Sequence, residues 1–155
     1  MRRSHVLAAL CFFFAFAGAG APSAEAATEP RGEDEVTLVV HTAADCPICK
    51  AWRESDEGLP VAQRLPKEAP PIKVVFIERP SLRGSESESL YPSELGALFK
   101  ARQEKYQLSP PVPLFELVRA GRVISRHAGL RGWSEGTLPE VRQLQAKQVQ
   151  SAPSR

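Results

Sequence analysis

A run of β-branched and apolar residues, Val36 to His41 (VTLVVH), leads almost directly into Cys46-Pro47-Ile48-Cys49 and a helical stretch, CPICKAWRESDE. A strand without polar alternation needs cover on both faces, and a strand that hands over to a helix opens an α/β unit. Pro47 suits a first helical turn, where its missing N–H costs nothing. Gly58 and Pro60 break that helix and PVAQRLPKE restarts it. Pro70-Pro71 punctuates the chain before a second buried strand at 72–78, IKVVFIE.

The stretch RPSLRGSESES reads as a polar loop whose charges form a solvated surface. Residues 93–107 read as an amphipathic helix with Ser93 as its N-cap. Leu95, Leu98, Phe99, Arg102 and Tyr106 share one face, along which Arg102 lays its stem. Two strands follow at 113–118 and 122–128, joined at Ala120-Gly121, a link short enough for an antiparallel hairpin. Thr137-x-x-Glu140 with Pro139 in the first turn reads as a capping box that starts a last helix ending at about residue 148. No internal repeat is visible.

The order is β-α-β-α-β-β-α. A right-handed crossover makes the first two strands parallel neighbours, and the hairpin adds antiparallel pairing. The expected product is an α/β, three-layer fold: a four-stranded mixed sheet with helices on both faces.

The ends of the chain read differently. Arg2 and Arg3 precede an uncharged run to Ala24, and Ala24-Glu25-Ala26 fits a cleavage site. That is the order of a secretory signal peptide over residues 1–26, with an uncleaved membrane anchor as the alternative. Residues 27–35 are a polar, flexible leader, 36–149 the folded domain and 150–155 a disordered tail. Cys11 leaves with the signal, so the processed chain keeps Cys46 and Cys49 and works in a periplasmic or secreted, oxidising setting.

Composition excludes several classes. The chain has 3 cysteines and 3 histidines, too few for a dense disulfide scaffold or a multi-zinc protein. The net charge is +2 with no concentrated Lys/Arg block, so no nucleic-acid partner is expected.

The compact chemical feature is the cysteine pair. Unpaired N–H groups and the positive end of the dipole at a helix N-terminus stabilise a thiolate. Cys46, at the very start, gains most and is the more exposed; Cys49 lies within disulfide reach and points inward. Cys46 is therefore the expected nucleophile and Cys49 the resolving thiol. An inert disulfide is the bland alternative, although so short a loop removes little unfolded-state entropy. Copper or zinc held with His41 or His127 is another, but one such pair supplies two ligands where a closed zinc site wants four. Lys50, not His, follows Cys49, which excludes c-type haem attachment. Trp52, one turn after Cys49, reads as core.

With its CPIC pair followed by Lys50, Tyr106 ahead of Val112-Pro113, and Gly121 and Gly129, the chain resembles the thioredoxin superfamily from Val36 to about Gln148. Pro113, Gly121 and Gly129 are spaced at intervals of eight, as in that family. The resemblance implies a cis peptide bond before Pro113, opposite the cysteines. It also implies that Val112 offers its backbone to a substrate peptide, with Pro47 and Ile48 beside it. Asp45 stands where the family often has Trp, and a carboxylate there opposes the thiolate. Val40 stands where classical thioredoxins carry a buried acid; Glu78, His41 or a water are the candidate proton acceptors for Cys49 in its place. The segment Arg79 to Pro92 reads as an insertion.

The implied activity is thiol–disulfide exchange with partner proteins outside the cytosol, by a monomer that needs no cofactor or metal and meets a membrane or periplasmic redox partner. The alternative is a binding module, either a copper carrier or a redox-inert adaptor using the groove around Val112-Pro113.

Overall fold

The computed structural model describes residues 35–105 and 107–151. The expected signal peptide, most of the leader, Tyr106 and the last four residues lie outside them.

Four strands form one sheet in the order β2-β1-β3-β4. They are β1 (Val36–Ala43), β2 (Lys73–Arg79), β3 (Leu114–Arg119) and β4 (Arg122–Ala128). β1 pairs parallel with β2 and antiparallel with β3, and β3 with β4 is the antiparallel hairpin. The sheet is mixed because a helical crossover joins its first two strands and a tight turn its last two.

β1 is buried along nearly its whole length, so its alternate residues feed two cores. Val36, Leu38 and Val40 pack with Phe115 and Leu117 against Trp52 of helix α1 (Pro47–Glu54), Val61 and Ala62 of α2 (Leu59–Arg64), Trp133, and Val141. Trp52, Phe115 and Trp133 form an aromatic trio with centroids 4.9–5.4 Å apart. Trp52 is thus core, as its helical spacing suggests. On the other face Val39, Ile77 and Val118 meet Tyr91 and the apolar side of α3 (Gly96–Glu104). Helices cover both faces, and the architecture is the thioredoxin-like three-layer fold.

Several local expectations need correction. Ser93 does not cap α3: it begins a 3-10 turn (Ser93–Leu95) that leads into the helix. The Thr137–Glu140 capping box does not form. The chain is already helical from α4 (Gly129–Arg131) through a π-helical segment (Gly132–Thr137) into α5 (Leu138–Ser151). Thr137 is therefore interior, and Pro139 sits where a missing N–H interrupts the regular ladder, next to the π-helical segment. α5 also outruns the expected end near residue 148 because nothing after Pro139 breaks it.

The 79–92 segment is not wholly a solvated surface. Arg79 and Glu86 are both buried. The Glu86 carboxylate lies 2.7 Å from His41 Nδ1, and its backbone N–H donates to the Leu108 carbonyl at 2.6 Å. Arg102 does more than lay its stem on the core. Its guanidinium is buried and pairs with Glu116 of β3, which Arg126 also reaches at 2.7 Å.

Candidate active site

Cys46 is the N-cap of α1. Its backbone is extended (φ −90°, ψ 111°), and its carbonyl accepts the Lys50 N–H at 3.0 Å. Pro47 opens the helix without an N–H to satisfy, and the third helical residue, Cys49, turns its N–H back toward the cap. It donates to Cys46 Sγ at 3.0 Å. A sulfur thus takes the place that a serine or aspartate oxygen takes in other helices, and any negative charge on it meets both that N–H and the helix dipole.

The two sulfurs are joined in a disulfide, with Cα atoms 5.2 Å apart. Cys46 is 4% exposed and Cys49 fully buried, so the order of exposure is as expected but Cys46 is far less open. Ala43 and the half-buried Val112 pack over the pair. The Val112–Pro113 bond is cis, and the Val112 carbonyl lies 3.7 Å from Cys46 Sγ. Pro113 is buried behind it, its carbonyl accepting the Gly129 N–H at 2.8 Å. Pro47 and Ile48 stand on the exposed rim, Ile48 with half its surface in solvent. The fold thus brings Cys46, Cys49 and Val112 into contact and leaves Pro47 and Ile48 facing outward beside them.

The neighbouring charges are arranged differently from the sequence reading. Asp45 does not confront the thiolate position. Its carboxylate accepts from the Leu82 N–H at 2.6 Å and from the Ser81 hydroxyl at 2.8 Å, and these bonds hold its pKa below the usual value. His41 is not poised as a proton acceptor for Cys49. Its Nδ1 faces Glu86 and its Nε2 lies 3.1 Å from Glu116, so both ring nitrogens are engaged. Glu78 is engaged as well: it accepts from Arg53 and from Thr42, whose hydroxyl in turn accepts from Arg53 at 3.0 Å. His127 bridges Ser125 and Glu140, a local surface role.

The buried polar cluster behind the site escaped the sequence reading. His41, Glu86, Arg102 and Glu116 are all under 4% exposed. Tyr91 donates to Glu86, and burial followed by that bond raises the phenol pKa. Burial alone pushes the Glu116 carboxyl up, but the His41 bond and the Arg102 charge overrule it and hold the pKa at about 2. One signal was available: an acid in the strand LFELV, where every neighbour is apolar.

Among the described residues no group of three or more His, Cys, Asp or Glu is placed to hold a metal ion. No helix among them is long and apolar enough to cross a membrane.

No family model matches the chain, and neither does any curated protein. Among solved structures the chain is similar to a number of thioredoxins, of which three serve as examples. The thioredoxin of Aeropyrum pernix is 15% identical, with 76% of this chain and 77% of that one covered and a TM-score of 0.44. The periplasmic thioredoxin SoxS of Paracoccus pantotrophus, in reduced form, is 16% identical, with 74% and 99% covered and a TM-score of 0.43. The thioredoxin of Fasciola hepatica is 14% identical, with 74% and 81% covered and a TM-score of 0.41. At this distance the likenesses say nothing about activity. The description that stands is drawn from the chain's own geometry: a thioredoxin-like α/β fold with a cysteine pair where its first strand meets its first helix.

Proposed function

We propose that this protein is a thiol–disulfide oxidoreductase acting on protein thiols and disulfides. The observation that carries the proposal is the capping geometry of Cys46: a sulfur that receives a helix N-terminal N–H, beside the Val112 carbonyl and joined to Cys49.

In the reduced state the Cys46 thiolate attacks one sulfur of a partner disulfide. The partner S–S bond breaks, a mixed disulfide forms, and the second partner sulfur leaves as a thiolate that takes a proton. Cys49 then gives up its proton and attacks Cys46 Sγ. The Cys46–Cys49 bond forms, the mixed disulfide breaks, and the partner leaves with both sulfurs reduced. The reverse sequence oxidises a partner dithiol. Val112 offers backbone pairing to the partner segment, while Pro47 and Ile48 provide an apolar rim. The signal-like N-terminus supports a periplasmic or secreted setting; a redox partner in or near the membrane, and action as a monomer, belong to the same proposal.

Insulin reduction by dithiothreitol tests this. Wild type accelerates it, whereas Cys46→Ser falls to the uncatalysed rate. Equal rates from the two proteins would overturn the proposal.

A further inference from the structure

Arg79 ends β2 in register with Ala43, the residue that packs on the Cys46–Cys49 disulfide. Paired residues on neighbouring strands point to the same face, so Arg79 enters the structure on the disulfide's side of the sheet. It is 3% exposed. Its Nη2 donates to the Pro110 carbonyl at 3.0 Å, on the segment that carries Val112. Its Nε and Nη1 have no hydrogen-bond partner among the described residues. Its own carbonyl accepts the Ala44 N–H at 3.1 Å, which ties it to the turn before Cys46.

Among the described residues the other buried ionisable side chains have partners. His41, Glu86, Arg102 and Glu116 answer one another, with Arg126 joining from the surface. Around the disulfide itself, Asp45 is turned toward Ser81 and Leu82, Lys50 is exposed and pairs with Glu54, and Arg53 pairs with Glu78. Residues 109–113 carry no charge. Among the described residues Arg79 is the one buried cation that forms no ion pair, although the exposed Asp45 carboxylate lies close enough to feel its charge. A buried cation with no contacting anion is costly, and the register with Ala43 and the bond to Pro110 hold this one at the end of the sheet where Cys46 and Cys49 gain negative charge on reduction.

We propose that Arg79 is a positioning residue for the redox chemistry, its guanidinium stabilising the Cys46 thiolate and so favouring the reduced state of the pair. The inference rests on the thiol–disulfide reading above and deepens it. A nearby cation lowers a thiol's pKa, and a stabilised thiolate makes the disulfide a stronger oxidant. Arg79 therefore supplies the charge that sets the direction of exchange.

The test compares wild type, Arg79→Met and Arg79→Lys. The thiolate is titrated by its ultraviolet absorbance, and the Cys46–Cys49 pair is equilibrated with glutathione. Arg79→Met should raise the Cys46 pKa by about one unit and shift the glutathione equilibrium about tenfold toward the disulfide, roughly 30 mV more negative. Arg79→Lys, which keeps the charge, should stay within a few tenths of a unit of wild type. Oxidised Arg79→Met should still melt in one cooperative transition, because it loses only the Pro110 hydrogen bond and a solvent-screened interaction with the exposed Asp45. An unchanged pKa in Arg79→Met would overturn the proposal, and so would a variant that fails to fold when oxidised; either makes Arg79 a strut for Pro110. Failure of the thiol reading looks different: wild type itself would leave insulin untouched and titrate at or above the free-cysteine value of about 8.5.

Discussion

Gly58 shows how one residue joins two helices. It follows α1 and caps α2, and its carbonyl accepts the Val61 and Ala62 N–H groups, both at 3.1 Å. A Cβ at this position would stand 1.8 Å from the Trp52 carbonyl oxygen, which is backbone and cannot move aside cheaply. Gly58→Ala must therefore push α2 away from the helix that carries both cysteines. We expect a loss of about 2 kcal/mol or more, the usual cost of overpacking, read from the urea midpoint at unchanged slope. Loss of insulin reduction well below the unfolding transition would show that the shift reaches the cysteines. In the sequence Gly58 is legible as a helix breaker, but the crowding that demands glycine depends on how two helices meet. The same division holds at the site. The capping position of Cys46 follows from Pro47 and the strand before it, whereas the direction of Asp45 depends on a loop some thirty-seven residues on.

At the scale of elements, legibility followed local chemistry. The strands were readable from β-branched runs, α3 from its apolar face, and the hairpin from Ala120-Gly121. The turn between β3 and β4 has positive φ at both central residues, 47° at Ala120 and 73° at Gly121, which is the twist a two-residue hairpin favours. Gly121 adopts it freely, whereas Ala120 carries a Cβ into the left-handed region at a cost of about 1 kcal/mol. Ala120→Asn should recover about that much, seen as a higher denaturant midpoint with activity unchanged. A midpoint at or below wild type would mean that the Asn side chain loses elsewhere what the backbone gains. The capping box misled for a comparable reason. Thr137-x-x-Glu140 has the right spacing, but α4 had already started the helix at Gly129, and a local signal cannot report a nucleus several residues upstream. The 79–92 segment was the least legible element. Nothing near Glu86 in sequence marks it as buried, since its partners His41 and Tyr91 are brought to it by β1 and by the turn before α3.

At the scale of the whole molecule, the polar cluster ties the sheet, α3 and the 79–92 segment together, and pH should expose that dependence. Glu116 has an ordinary value of 4.5 and a folded value of about 2, so the folded state binds its proton less tightly than the unfolded state. The stability it confers is fully present above pH 4.5 and is lost as pH falls toward 2. A shift of that size corresponds to about 3 kcal/mol. Glu68 and Asp45 are also lowered, the first chiefly by Arg142 and the second by the Leu82 N–H, but both carboxylates are far more exposed and solvent screening leaves them a smaller share. Glu116→Gln keeps the shape and removes the titration. At neutral pH it should lose about 3–5 kcal/mol, because His41, Arg102 and Arg126 keep their positions around a neutral group. Below pH 4.5 the two proteins should converge, wild type falling while the variant stays comparatively flat. Urea midpoints across that range read the difference directly. Parallel profiles down to pH 2 would place the acid lability in the surface carboxylates and reduce the buried cluster to a packing role.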